Sequence, residues 1–347
     1  MGRFGVRFGG LLTGLSRRMI RTRTDDRRST QEGRHMKLLQ YHEPGHGKRV
    51  GVLTREGAII DVTTDEAPGV LELLQIAASE SVSLNILVAD MQERASAARP
   101  APAPWEDNAG EELSYEAVSV LPAEDGFHLR TPIDSPEVWG CGVTYKRSSD
   151  MRDDDSESDI YSRIYAADRP EIFFKATPRC IVGSNQPIGI RRDSTLTATE
   201  PELAFVMGEG GAIVGYTLCN DVSAWDIERD NPLYLPQSKM YNGCCALGPV
   251  FLTPPELEDP YNLDISCVIR RDGGVLWEGS VNTEQINWKL EDLAEYLMRD
   301  NDCPVGTVVS TGTGIIVPND LPLQDGDVVE ISCEQFGTLS NPVVQFG

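Results

Sequence analysis

The chain has 347 residues, with 54 acidic and 31 basic side chains and a formal charge of −23. That balance excludes a free-standing nucleic-acid binder, whose affinity for phosphate requires a cationic face. No run of about 20 apolar residues is present to cross a membrane as a helix, while 40% hydrophobic residues in periodic segments suffice for a substantial core.

The charge is unevenly spread. Residues 1–35 hold nine Arg and three acids, a net of +6, which leaves −29 for residues 36–347. This segment lacks the apolar core of a secretory signal, and Asp25–Asp26 speaks against an organelle presequence. It is read as an N-terminal extension, disordered or lying ahead of a true start at Met36.

Residues 37–41, 49–53 and 58–62 alternate as short strands. Residues 70–96 then place apolar side chains at helical spacing, among them Val70, Leu71, Leu73, Leu74 and Ile76. An Ala/Pro-rich stretch, 96–104, reads as a linker or an extended crossing. Residues 36–126 are therefore predicted as a small α/β domain. From residue 127 onward, short apolar segments separated by Gly, Pro and Asp turns predict a β-rich α+β domain reaching 347. One amphipathic helix is expected over 284–300, with Asn282 or Thr283 as N-cap. The acidic insertion 148–168 reads as a charged loop plus a surface helix, or as a lid that orders over a ligand.

Eight cysteines form no CxxC pair, and all four histidines lie at or before residue 128. The thiols are read as small buried hydrophobes in a reducing, cytoplasmic setting. A Cys–His dyad or a zinc site is not expected.

Chemistry concentrates in Thr199-Glu200-Pro201-Glu202. In a strand, residues two apart share a face, so Glu200 and Glu202 project together and repel unless a cation or proton relieves them. Pro201 suits a strand start. Gly208-Glu209-Gly210-Gly211 forms a hairpin turn. If Met207 pairs with Ala212, Glu200 lies opposite position 219, and a bulge at the strand end would bring Asp221 onto the same face. Three converging carboxylates favour a hard divalent cation, Mg²⁺ or else Mn²⁺ or Ca²⁺; the alternative is a solvent-facing acidic hairpin. Lys239 is one of only six lysines and sits among Tyr, Leu, Met and Cys, as a perturbed base or anion holder would. The Ser310-Thr311-Gly312-Thr313-Gly314 turn offers hydroxyls and backbone N–H groups able to hold a carboxylate.

As an ordered set over about 134–346, these residues resemble the fumarylacetoacetate hydrolase superfamily. The set comprises Gly142-Val143-Thr144-Tyr145, Phe173-Phe174-Lys175-Ala176-Thr177-Pro178, the Glu200/Glu202 pair, the segment 215–226 with Asp221, Lys239, Gly248-Pro249 and the Thr311-Gly312-Thr313 turn. The resemblance implies a C-terminal mixed β-roll beside the small N-terminal domain. It also implies Mg²⁺ on Glu200, Glu202 and Asp221, and a homo-oligomer, dimer or tetramer. Ser148 and Met151 stand where hydrolases of the superfamily carry a His and an acid, so C–C hydrolysis is disfavoured. Segments 169–178, 228–248 and 279–283 instead resemble a sugar-acid dehydratase branch, which converts 2-keto-3-deoxy-D-arabinonate-like acids to 2,5-dioxopentanoate through a metal-stabilised enolate. On that reading Lys239 is catalytic and Thr144, Tyr145, Lys175, Lys239 and Thr313 bind the small 2-keto acid. An acid between Asp150 and Glu157 would donate the proton. The other readings are a metal-dependent hydrolase of 2,4-diketo acids and a metal-binding homologue without activity.

Overall fold

The computed structural model describes residues 36–98, 113–156 and 159–346; the extension 1–35 and most of the Ala/Pro-rich segment lie outside them. Two sheets dominate. The larger has eleven strands, and its main path runs from Ile59–Asp61 through Gly47–Leu53, Lys37–Glu43, Cys245–Leu252, Ile213–Asp221, Pro201–Met207, Val308–Ser310 and Val138–Gly142 to Glu171–Ala176. The smaller orders Gly274–Asn282, Asp264–Arg271, Val328–Cys333, Gly337–Gln345 and Ile188–Ile190. Most pairs are antiparallel, but Val308–Ser310 runs parallel to Val138–Gly142, and Ile188–Ile190 parallel to Gly337–Gln345. The mixed α+β architecture expected from the sequence is the one found. The N-terminal strands extend the large sheet through Lys37↔Leu252 and Leu38↔Phe251.

The central strand Pro201–Met207 is buried at every position, because both of its faces are covered. Leu203, Phe205 and Met207 join one core with Ile265, Ile331 and Leu293 of the small sheet and the C-terminal helix. Ala204 and Val206 join a second core with Val70, Leu73 and Leu74. Period-two alternation thus splits one strand between two cores, and Glu200 and Glu202 continue the Ala204/Val206 side.

Three helical expectations change. The 70–96 pattern becomes two helices, Val70–Glu80 and Leu84–Ala98, since Ser81 takes a left-handed φ of 55° and turns its N–H back to Ala77 and Ala78. The 284–300 helix shortens to Leu290–Leu297, because Ile286 is extended; Asn282 caps only a single turn over Thr283–Gln285. The insertion is helical in both halves, Lys146–Ser156 and Ile160–Tyr165. Its first half, read from the sequence as a charged loop, buries the small Ser148 and Ser149 and leaves Asp150 exposed.

Candidate active site

Pro201 begins its strand, where its missing N–H costs no ladder bond. The hairpin register differs from the expected one: Met207 pairs with Ile213 and Val206 with Gly215, so an extra residue enters at the turn. Glu202 then lies across from Cys219 and Pro201 from Asn220, and the Asp221 N–H donates to the Glu200 carbonyl at 3.0 Å. The bulge therefore sits at the turn end and not beside the carboxylates. Its effect is to align Asp221 with Glu200 directly. Glu200, Glu202 and Asp221 are 3%, 2% and 2% exposed, and each offers an oxygen within 4.8 Å of the others. Among the described residues this is the cluster able to hold a metal ion.

Each carboxylate is fixed by different partners. Glu202 accepts from Ser310 Oγ and, at 2.7 Å, from the Gly312 N–H. Asp221 pairs with Lys175 Nζ at 2.5 Å and Lys239 Nζ at 2.9 Å. Glu200 accepts from Lys239 at 3.0 Å, Trp225 Nε1 at 2.7 Å and Arg152 at 3.1 Å. Burial raises the Glu200 carboxyl, but Lys239 and Arg152 outweigh it and bring its pKa to about 2. Among the described residues no cation pairs with Glu202; burial first, then the charge of Asp221, pushes it well above the usual range. A buried oxygen set with one such member fits a hard divalent cation, which supplies the missing positive charge.

Gly312 is needed for this geometry. Its φ is +88°, and a Cβ there would lie 2.2 Å from Thr144 Oγ1 and 3.0 Å from the Cys141 carbonyl. Gly312→Ala should lose roughly 2–3 kcal/mol of stability, read by urea unfolding. Mg²⁺ affinity should fall with it, because the Glu202 contact moves.

A small cavity opens beside the cluster, lined by Glu200, Asp221, Lys239 and Thr313 together with Arg152, Glu171 and Glu228. The other expected substrate contacts lie behind this wall. Lys175 is fully buried, and besides Asp221 its amine donates to the carbonyls of Val222 at 2.9 Å and Lys239 at 2.6 Å. Thr144 donates to the Thr311 carbonyl at 2.6 Å, and Tyr145 is 1% exposed. None of these three lines the cavity. Ser148 also lines the cavity.

Two of the expected proton donors of the insertion are engaged elsewhere. Asp150 pairs with Lys146, and Asp153 accepts from the N–H groups of Tyr161 and Ser162 at 2.9 and 3.0 Å. The side chains at 154–158, Glu157 included, lie outside the described residues. Sequence reasoning missed three charged cavity residues. Arg152 reaches from the insertion to Glu200 and Glu228. Glu171 opens the strand Glu171–Ala176, and alternation with Phe173 and Lys175 was the available signal. Burial raises its carboxyl, partly offset by Arg152. Glu228 follows Trp225 by three in the helix Trp225–Asp230, a spacing that puts both on one side.

The family model for the fumarylacetoacetate hydrolase C-terminal region matches residues 138–344. The chain is 50% identical over 236 residues to 2-dehydro-3-deoxy-D-arabinonate dehydratase of Saccharolobus solfataricus, covering 67% of this chain and 79% of that protein. It is 44% identical over 238 residues to a probable 2-keto-3-deoxyxylonate dehydratase of Haloferax volcanii, covering 68% and 82%. Among solved structures, 2-keto-3-deoxy-D-arabinonate dehydratase complexed with magnesium and 2,5-dioxopentanoate superposes with a TM-score of 0.70 at 37% identity, over 90% of this chain and 99% of that one. With its buried carboxylate cluster at the end of the central hairpin, the chain belongs to the fumarylacetoacetate hydrolase family.

Proposed function

We propose that this protein is a Mg²⁺-dependent dehydratase that removes water from a 2-keto-3-deoxy pentonate and yields 2,5-dioxopentanoate. The observation that carries the reading is the carboxylate cluster joined in one cavity to Lys239 and Glu171, in a chain that is half identical to a sugar-acid dehydratase over the matched region. Glu200, Glu202 and Asp221 would hold the cation, which withdraws charge from the carboxylate and keto oxygen of a 2-keto acid and makes the C3 protons more acidic.

The chain's own residues complete the reaction. Thr313 holds the substrate carboxylate. Lys239 is the lysine that lines the cavity, and Asp221 and Glu200 raise its amine above the ordinary range against the pull of burial. That favours a charged donor to the substrate's anionic end over a neutral base. Glu171, whose raised carboxyl binds a proton more readily than an exposed one, takes the C3 proton and returns it to the departing C4 oxygen. Lys175, Thr144 and Tyr145 position these groups from behind. No described residue of 36–126 lines this cavity, which supports reading 127–347 as the catalytic domain, 36–126 as its support and 148–168 as the cover. The unpaired cysteines support a reducing, cytoplasmic location. The homo-oligomer is to be tested by light scattering.

An NMR time course with Mg²⁺ tests the activity, using 2-keto-3-deoxy pentonates beside acylpyruvates. Aldehyde signals growing without C–C cleavage are expected; release of pyruvate sinks the dehydratase reading.

A further inference from the structure

We propose that Glu228 is a second proton-transfer residue, which carries the double bond toward C5 after water has left. This rests on the dehydratase reading above and deepens it. Removing the C3 proton and the C4 hydroxyl from a 2-keto-3-deoxy pentonate gives a C3=C4 double bond and leaves C5 an alcohol, as 5-hydroxy-2-oxopent-3-enoate. The product 2,5-dioxopentanoate has saturated C3 and C4 and an aldehyde at C5. A second stage must therefore follow elimination. A base takes a proton from C5, and that electron pair becomes the C4=C5 bond while C3 receives a proton. The resulting enol loses its O–H proton as C4 gains one. C5 is oxidised as C3 and C4 are reduced, so no outside oxidant is required.

Besides Glu200 and Asp221 of the cluster, the cavity is lined by two further carboxylates, Glu171 and Glu228, and the departing C4 oxygen needs only one proton donor. Glu228 is 7% exposed and stands at a junction. It lines the cavity beside the cluster and also an adjoining one formed with Met151, Tyr161 and Trp225, which contains none of the three carboxylates. A substrate anchored at the cluster by C1 and C2 would have C5 as the end farthest from the cluster, and the adjoining cavity at Glu228 is the side without cluster carboxylates. Arg152 pairs with one Glu228 oxygen, and Ser238 Oγ lies 3.4 Å from the other. The carboxylate is thereby held in a fixed orientation, as a proton carrier between neighbouring carbons requires. A merely structural Glu228, anchoring Arg152 and its helix, would serve both stages alike or neither.

The experiment gives the full-length wild type, Glu228→Gln and Glu171→Gln, each with Mg²⁺, two substrates: the sugar acid and synthetic 5-hydroxy-2-oxopent-3-enoate. Glu228→Gln is expected to slow conversion of the supplied enone by about 10²–10⁴-fold, and to accumulate that enone, seen by its ultraviolet absorbance and by NMR, when fed the sugar acid. Glu171→Gln is expected to show the converse, with water loss impaired and the supplied enone still converted. Equal loss of both stages in Glu228→Gln, or loss of neither, overturns the proposal. Complete transfer of deuterium from C5 to C4 by the wild type on a C5-dideuterated substrate also overturns it, because that outcome marks a hydride shift. Wild type that cleaves the sugar acid or leaves it unchanged fails the dehydratase reading itself, whereas normal wild-type turnover with an unaffected Glu228→Gln fails only the assignment of Glu228.

Discussion

Glu202→Gln is expected to abolish most activity, lowering kcat/KM by about 10²–10³-fold, and to weaken Mg²⁺ binding by well over the ~10–100-fold that changes outside the ligand shell already cause. The side chain is 2% exposed, and one of its oxygens is fixed by Ser310 and the Gly312 N–H. The amide preserves the shape but removes the negative charge that a hard cation requires. A pH dependence follows from the raised Glu202 carboxyl. Between its ordinary value of 4.5 and the raised one, the folded protein retains a proton that the unfolded chain has released. That contribution to stability is complete below the ordinary value and disappears as pH rises through the raised one. Binding a cation expels the same proton, so Mg²⁺ affinity should rise by up to about tenfold per pH unit across this window. Calorimetry in two buffers of different ionisation enthalpy measures the proton released, and Glu202→Gln should release none. A Glu202→Gln protein that keeps full activity at low Mg²⁺ would refute the metal assignment.

Lys175→Met is expected to cost roughly 3–5 kcal/mol of stability, the usual penalty for removing one partner of a buried ion pair. Lys175 lies 2.5 Å from Asp221, both at 2% exposure or less, and its remaining contacts are two backbone carbonyls. Burial alone would depress the amine, but Asp221 more than compensates and raises it. Without Lys175, Asp221 keeps only Lys239 as its cationic partner and its carboxylate turns less precisely toward the cluster. Urea unfolding should show a lower midpoint, and Mg²⁺ titration a weaker affinity, while KM at saturating Mg²⁺ changes little. A lysine that touched the substrate would give the opposite pattern, a raised KM with stability intact.

The two lysines show how far the residue order could be read. Both stand in an ordered set that resembles the family, and both lie next to Asp221. Their difference arises from depth: Lys239 opens onto the cavity, whereas Lys175, from the strand Glu171–Ala176 at the end of the sheet path, is fully buried against Asp221. Sequence spacing reports the face of a strand but not the layer a side chain tip reaches. The hairpin shows the same limit. Alternation identified Glu200 and Glu202 as neighbours, but the residue opposite Glu200 depended on a bulge at the turn, and a shift of one changes the face of every partner. Glu171 and Glu228 escaped notice because alternation with Lys175 and spacing from Trp225 give only a shared face, which in a chain with 54 acids does not separate a cavity carboxylate from a solvated one.

The residue order by itself determined the α+β class, the strand-borne carboxylate pair, the absence of a late histidine and the −29 body behind a basic extension. These are properties of composition, period and chain order. Tertiary structure alone decided which acids converge. Glu200 and Glu202 meet Asp221 through the hairpin register, Arg152 crosses from the insertion to Glu200, and Glu171 and Glu228 enter from a strand and a helix far apart in the chain. Carboxylates repel at close range, so their convergence requires cations and donors delivered from distant segments. Folding brings Lys175, Lys239, Arg152, Ser310 and Gly312 to that one place.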